Sequence, residues 1–194
     1  MKRIFFISTV LLVSLFAAVQ TYAKTKGKSV EISFDYVKQQ GPGSNQYAVW
    51  IENDKNEMIK TLFVTSFTTK GRIREGQPRR RGYTYRPACV PTWVNNAKAA
   101  EMSDDEIDGF TGATPQTGKK VFVWDFTDAK GKKVGNGKYR ICVEATLKND
   151  YQMLFTGFVT PKDKAGEITI KQEIRGCNDA YSGMIKAVKA IIKK

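Results

Sequence analysis

Apolar and polar residues alternate through most of the chain after residue 28, with the two-residue period of half-buried strands. Val30, Ile32, Phe34 and Tyr36 alternate with Glu31, Ser33 and Asp35. A loop rich in turn residues, Gly41, Pro42, Gly43, Ser44 and Asn45, separates them from a second strand over residues 47–52, centred on Val49, Trp50 and Ile51. Asn53, Asp54, Lys55 and Asn56 make a tight turn, and residues 59–67 return as a third strand. Strands resume at 121–124, 139–146, 152–159 and 168–174. Residues 121–145 read as a hairpin, with turn chemistry at Asp128, Ala129, Lys130 and Gly131 and a second permissive corner at Gly135, Asn136 and Gly137. Residues 184–192 suit a helix or a strand; the β-branching of Ile185, Val188, Ile191 and Ile192, in an all-strand context, favours a final strand. The pattern predicts an all-β chain, an immunoglobulin-like antiparallel β-sandwich forming one domain over residues 24–194.

The alternation breaks over residues 68–118, which read as a long basic loop plus a short helix inserted between strands. Lys70, Arg72, Arg74, Arg79, Arg80, Arg81 and Arg86 face one acid, Glu75, before Pro87. Gly71, Gly76, Pro78 and Gly82 interrupt regular structure, and Tyr83 and Tyr85 are interleaved. Guanidinium forks match phosphate and carboxylate geometry, and tyrosines can stack on planar groups. Arg79, Arg80, Arg81, Tyr83, Tyr85 and Arg86 are therefore candidate contacts to an anionic partner; the competing reading is a solvated basic loop. Residues 91–102 suit a short helix with Trp93, Val94 and Ala97 on one side. Ser103, Asp104, Asp105 and Glu106 have the form of a capping box opening one more helical turn.

The N-terminus is an address. Lys2 and Arg3 precede an apolar run over residues 4–19, and Thr21, Tyr22 and Ala23 supply a cleavage site, so the expectation is a signal peptide over residues 1–23, removed after Ala23. A retained membrane span is not expected, because the run is short and no second one follows. The net charge of +13 favours an anionic surface or an acidic protein as partner. Nucleic acid does not suit an exported chain. Three cysteines, Cys89, Cys142 and Cys177, leave two readings open: one disulfide with one free thiol, or three reduced core residues. The chain contains no histidine, which removes Ser–His and Cys–His nucleophile pairs and imidazole metal ligands. No carboxylate pair stands out either, so no enzymatic activity and no metal site are expected.

Two resemblances add to this reading. The segments VEISFDY, GPGSNQYAVWIEND, RRRGYTYRP with VPTW, TGATP and VWDFTDAKGKKVGNGKY, spread over residues 29–160, resemble a family of predicted periplasmic proteins, domain-of-unknown-function family 2271. The resemblance implies export, a β fold and association with flavin-dependent electron transfer outside the cytoplasm. The 124–139 segment also resembles the immunoglobulin-like domain of flagellar hook-capping proteins, which concerns turn geometry alone. Locally, Asp108, Gly109, Phe110, Thr111, Gly112, Ala113 and Thr114 resemble the D-x-x-[ST]-G-A-T pattern of exported FMN-binding domains. There a flavin transferase joins FMN through its phosphate to the last threonine. The resemblance implies Thr114 as acceptor, Asp108 as a positioning carboxylate for the transferase or its metal-bound donor, and Thr111, Gly112 and Ala113 as the approach surface. In this chain Pro115 follows the threonine and the segment runs into a strand.

Two functions are thus expected as alternatives. One is an accessory of extracytoplasmic electron transfer, partnered with a flavin transferase or a membrane flavoprotein. The other is a cofactor-free module whose basic loop docks an anionic surface, a glycan or a partner protein.

Overall fold

A computed structural model describes residues 27–40, 45–72, 75–76, 80–113, 115–147, 151–176 and 183–194. The expected signal peptide, Arg79, Thr114 and Cys177 lie outside the described residues.

Two sheets face each other, giving the β-sandwich that the alternation predicts. Strands β1 (Ser29–Tyr36), β5 (Gly118–Trp124), β8 (Gly166–Ile168) and β10 (Ile185–Lys193) form the smaller sheet, in the order β5-β1-β10-β8. The larger sheet has the order β4-β3-β2-β6-β7-β9, from β2 (Gln46–Asn53), β3 (Met58–Thr65), β4 (Thr111–Gly112), β6 (Tyr139–Leu147), β7 (Tyr151–Val159) and β9 (Lys171–Gly176). Neighbouring strands are antiparallel except β3 and β4, which run parallel. The layer between the sheets holds Val30, Ile32, Phe34 and Tyr36 of β1 against Tyr47, Val49 and Ile51 of β2 and Ile141, Val143 and Met153 of β6 and β7. These are the same-parity positions of each strand, as a two-residue period requires. The final segment is a strand, paired with β1 along Ser29↔Lys193 to Tyr36↔Ile185.

Three expectations are corrected. Residues 121–145 do not form a hairpin: β5 pairs with β1, and β6 pairs with β2 and β7 in the other sheet. The turn residues instead close a small ribbon, with a bridge between Thr127 and Lys133 and the Asp128 carboxylate accepting from the Lys130 and Lys132 backbone N–H groups. The turn chemistry was local, and strand pairing was decided by which apolar faces had to meet. Residues 168–174 are likewise two strands, not one. β8 pairs with β10 and β9 with β7, so the chain changes sheet around Thr169. The third strand ends at Thr65, and Phe67 belongs to a helix.

The insertion carries several short helices rather than one, and the helix expected over residues 91–102 stops at Asn96 and continues as turns. It contains α1 (Ser66–Lys70), α2 (Gly82–Tyr85), α3 (Pro91–Asn96) and α4 (Asp104–Asp108) before β4 lays the chain beside β3. The α3 segment, with Val90, Trp93, Ala97 and Ala99, covers the outer face of the larger sheet over Ala48, Trp50, Val64, Cys142 and Leu154. Strand β2 is therefore buried on both faces along seven of its eight residues, which is why its apolar run includes Trp50 as well as Val49 and Ile51. The α4 capping box is present: Ser103 Oγ accepts from Glu106 N–H and the Glu106 carboxylate accepts from Ser103 N–H, at 3.3 and 2.8 Å.

Candidate functional site

A buried polar seam holds the insertion to the sheet. Val90 stands at the N-cap of helix α3, and its side chain cannot accept a hydrogen bond. Its first N–H groups are taken by the sheet instead. The Glu144 carboxylate of β6 accepts from Thr92 N–H at 3.1 Å and Trp93 N–H at 2.9 Å, and Thr146 Oγ1 accepts from Val90 N–H at 3.1 Å. Gln152 Nε2 donates to the same carboxylate. Glu144 is fully buried; burial pushes its carboxyl pKa up, against the Trp93 and Thr92 N–H groups that pull it down. At the other end of α3, fully buried Glu52 accepts from Trp50 Nε1 at 3.0 Å and Asn96 Nδ2 at 2.8 Å, and pairs with Arg140. Trp93 Nε1 donates to Thr61 Oγ1 at 3.0 Å. Between the two carboxylates Cys142 is a buried free thiol, its pKa raised well above the ordinary range by burial and then by Glu52. Both carboxylates have their donors and are sealed from solvent, so the seam is architecture.

The predicted anion contacts take separate tasks. Arg81 turns inward: Nη1 donates to the Ala99 carbonyl at 2.7 Å, Nη2 to the Met102 carbonyl at 2.5 Å, and Asp104 lies 3.4 Å away. Its guanidinium braces the chain between α3 and α4. Arg86, like Arg72, lies with its guanidinium carbon 5.7 Å from the centre of the Phe67 ring, in cation–π range. Tyr83 packs against the core under α3, while Arg80 and Tyr85 are exposed. Gly82 makes the crossing of α1 and α2 possible, since a Cβ there would stand 1.7 Å from the Phe67 carbonyl oxygen. No sequence signal separated Arg81 from its neighbours, because its partners are backbone carbonyls.

The flavin-type stretch follows the edge of the larger sheet. Asp108 ends α4, and its largely exposed carboxylate pairs with Lys70 Nζ at 2.5 Å. Phe110 stacks edge-on against Trp93, with ring centres 5.9 Å apart. Thr111 and Gly112 pair with Val64 and Thr65, and the Thr111 hydroxyl lies 3.1 Å from that of Thr69. Gly112 is pressed onto Phe63, where a Cβ would come within 2.3 Å of the ring. Ala113 is exposed, and the chain then crosses to the smaller sheet, where Thr117 Oγ1 accepts from Lys38 N–H at 3.0 Å.

That crossing frames an open mouth between the sheets, about 570 Å³ in volume, which the sequence did not suggest. Tyr47, Phe63 and Phe122 supply aromatic walls, Gly112, Ala113 and Pro115 one rim, and Lys119 and Lys120 the other. The rings of Tyr47, Phe63 and Phe122 lie 5.0 to 6.4 Å apart, centre to centre, as a contiguous aromatic set. The spacing of these residues along the chain hides the mouth, for it draws on β2, β3, β4 and β5 at once. Among the described residues no cluster of metal-ligating side chains occurs, and no helix is long and apolar enough to cross a membrane.

Fold and site define a β-sandwich with one sheet roofed by an insertion and with an aromatic mouth open between the sheets. The chain belongs to the family described as predicted periplasmic protein (DUF2271), whose pattern matches residues 27–175, and it is a periplasmic protein. No curated relative and no solved structure matches it.

Proposed function

We propose that this periplasmic sandwich is a non-enzymatic accessory of flavin-dependent electron transfer outside the cytoplasm, carrying FMN on Thr114. The observation that supports the reading best is the course of the stretch from Asp108 to Ala113. It is anchored by the Lys70 ion pair and by pairing with β3, then emerges exposed at Ala113, immediately before the acceptor residue. A threonine hydroxyl is a weak nucleophile, and a chain with no histidine has nothing of that kind to activate it. Attachment therefore belongs to a separate transferase, and exposure on one flank of the acceptor suits such a passive substrate. In that transfer the threonine oxygen forms a bond to the FMN phosphorus of a flavin dinucleotide. The pyrophosphate P–O bond breaks, the nucleoside monophosphate leaves, and the hydroxyl proton passes to the transferase's base.

The surrounding residues fit the group. Ala113 is exposed to a bulky donor, Asp108 presents an exposed carboxylate, and Lys119 supplies positive charge suited to a phosphodiester. Bound FMN would supply reversible one- and two-electron chemistry. The chain's own part is to hold the attachment stretch at the sheet edge and to present it to other proteins.

Co-export with an active flavin transferase tests this. The expected result is a mass gain of one FMN less one water, lost in Thr114→Ala and kept in Thr117→Ala. An unchanged apoprotein mass beside an active transferase would overturn the reading.

A further inference from the structure

The mouth has a property that flavin attachment does not require. Cross-strand partners in a sheet share a face. On β5, Phe122 pairs with Ile32 and Lys120 with Phe34, and both β1 residues are buried in the layer between the sheets. Lys120 therefore sits on the interior face of β5, at the open end of a row that continues with Phe122 and Trp124. Its ammonium lies 6.0 Å from the centre of the buried Tyr36 ring. The ion pairs of the described residues join neither Lys120 nor Lys119 to a carboxylate. An inward-facing, half-buried cation without a counter-ion is unusual, since desolvating a charge costs free energy that a partner normally offsets.

The rest of the mouth narrows what that partner is. Half-buried Phe63 and Phe122 offer ring surface over the fully buried Tyr47, and Gly112 keeps the wall at Phe63 flat. Gln116 adds one side chain able both to donate and to accept. A small inorganic anion would satisfy Lys120 and leave the aromatic walls wet. A neutral ring would cover the walls and leave the ammonium desolvated and unpaired. Only a ligand with both features matches, and the volume falls within the range of small-molecule sites, about 300–1,000 Å³.

We infer that the mouth between β5 and the β3–β4 edge is a noncovalent binding site for a planar aromatic anion of one or two fused rings, stacked against Phe63 and Phe122 and paired with Lys120. This goes beyond the flavin reading, because it concerns a free ligand and the unmodified chain.

The test is a titration of the mature, unmodified protein with 2-naphthoate, followed by calorimetry and backbone amide NMR. Neutral 2-naphthylmethanol and the saturated anion cyclohexanecarboxylate are the comparators. The expected result is saturable binding of 2-naphthoate, at least tenfold tighter than either comparator, with shifts concentrated in β5 and around Gly112 and Gln116. Lys120→Met, which keeps the aliphatic stem, weakens it at least tenfold, and Phe122→Leu weakens it by loss of stacking. Lys130→Met, in the exposed turn after β5, leaves it unchanged. Absence of saturable binding at millimolar ligand, equal affinity for all three ligands, or indifference to Lys120→Met in a variant that melts like the wild type would each overturn the inference. None of these outcomes depends on Thr114, so the flavin reading and this one fail separately.

Discussion

Charged side chains lie between packed layers both under α3 and at the mouth, and they are treated in opposite ways. Under α3, Glu52 and Glu144 are fully buried, and each is met by several donors from the insertion and the sheet. At the mouth, Lys120 is half-buried on the interior face with rings around it and no carboxylate. The difference separates architecture from function. A buried charge with all its hydrogen bonds made joins two pieces of chain. One left open, beside exposed rim residues, is an invitation to a ligand.

The contrast breaks most visibly at Glu52. Glu52→Ala removes the acceptor of the Trp50 indole and the Asn96 amide and the partner of Arg140, so the expected loss is about 3 kcal/mol, read as a lower urea midpoint. Amide exchange in α3 should accelerate with it. A loss below about 0.5 kcal/mol, the ordinary effect of a surface change, would mean that the seam does not hold the insertion down.

Arg81 comes next. Arg81→Ala gives up two carbonyl contacts of a mostly buried guanidinium and is expected to cost about 1–2 kcal/mol. Arg80→Ala, at an exposed site one residue earlier, should leave the melting temperature where it was. Equal effects would return both residues to a single solvated loop.

On the mouth side, the buried Tyr36 hydroxyl has no hydrogen-bond partner in the structure. Tyr36→Phe is expected to raise stability by about 1 kcal/mol, since an unsatisfied buried group is removed. Burial also pushes the Tyr36 pKa from 10.0 up to about 12. With the folded value raised, the unfolded chain ionises first. The stability this group contributes is complete below about pH 10 and is lost as pH climbs from about 10 towards 12. Melting curves across that window should show a shallower alkaline decline in Tyr36→Phe than in the wild type; identical slopes would contradict the assignment. The smallest effect belongs to Lys120→Met, which should leave the melting temperature nearly unchanged, since no ion pair of the described residues is lost and the small gain from no longer desolvating a charge offsets the long 6.0 Å ring contact with Tyr36.

Much of the sandwich was legible in the sequence, for a physical reason. Each core strand is buried on at least one face, so Val30, Ile32, Phe34 and Tyr36 had to alternate, and even the ambiguous last segment showed its strand character in its β-branched residues. The capping box at Ser103 could be read because both members of the pair are local. Pairing partners were hidden. The turn residues at 128–131 fit a hairpin and an arch between sheets equally well, and only the meeting of distant apolar faces chose between them. The seam was illegible for a similar reason: Glu52 and Glu144 each look like the polar half of an alternating strand until a helix from residue 91 onward covers them. The Asp108–Thr114 stretch could be found as a motif, whereas the mouth beside it, assembled from four strands, could not.

The most direct test of the proposed role is the intact mass of the protein isolated from its own periplasm. The expected mass is that of the chain beginning at Lys24 plus one FMN less one water, with the added mass mapped to the peptide that contains Thr114. The bare mass of the same chain, from cells whose flavin transferase is active, would contradict it.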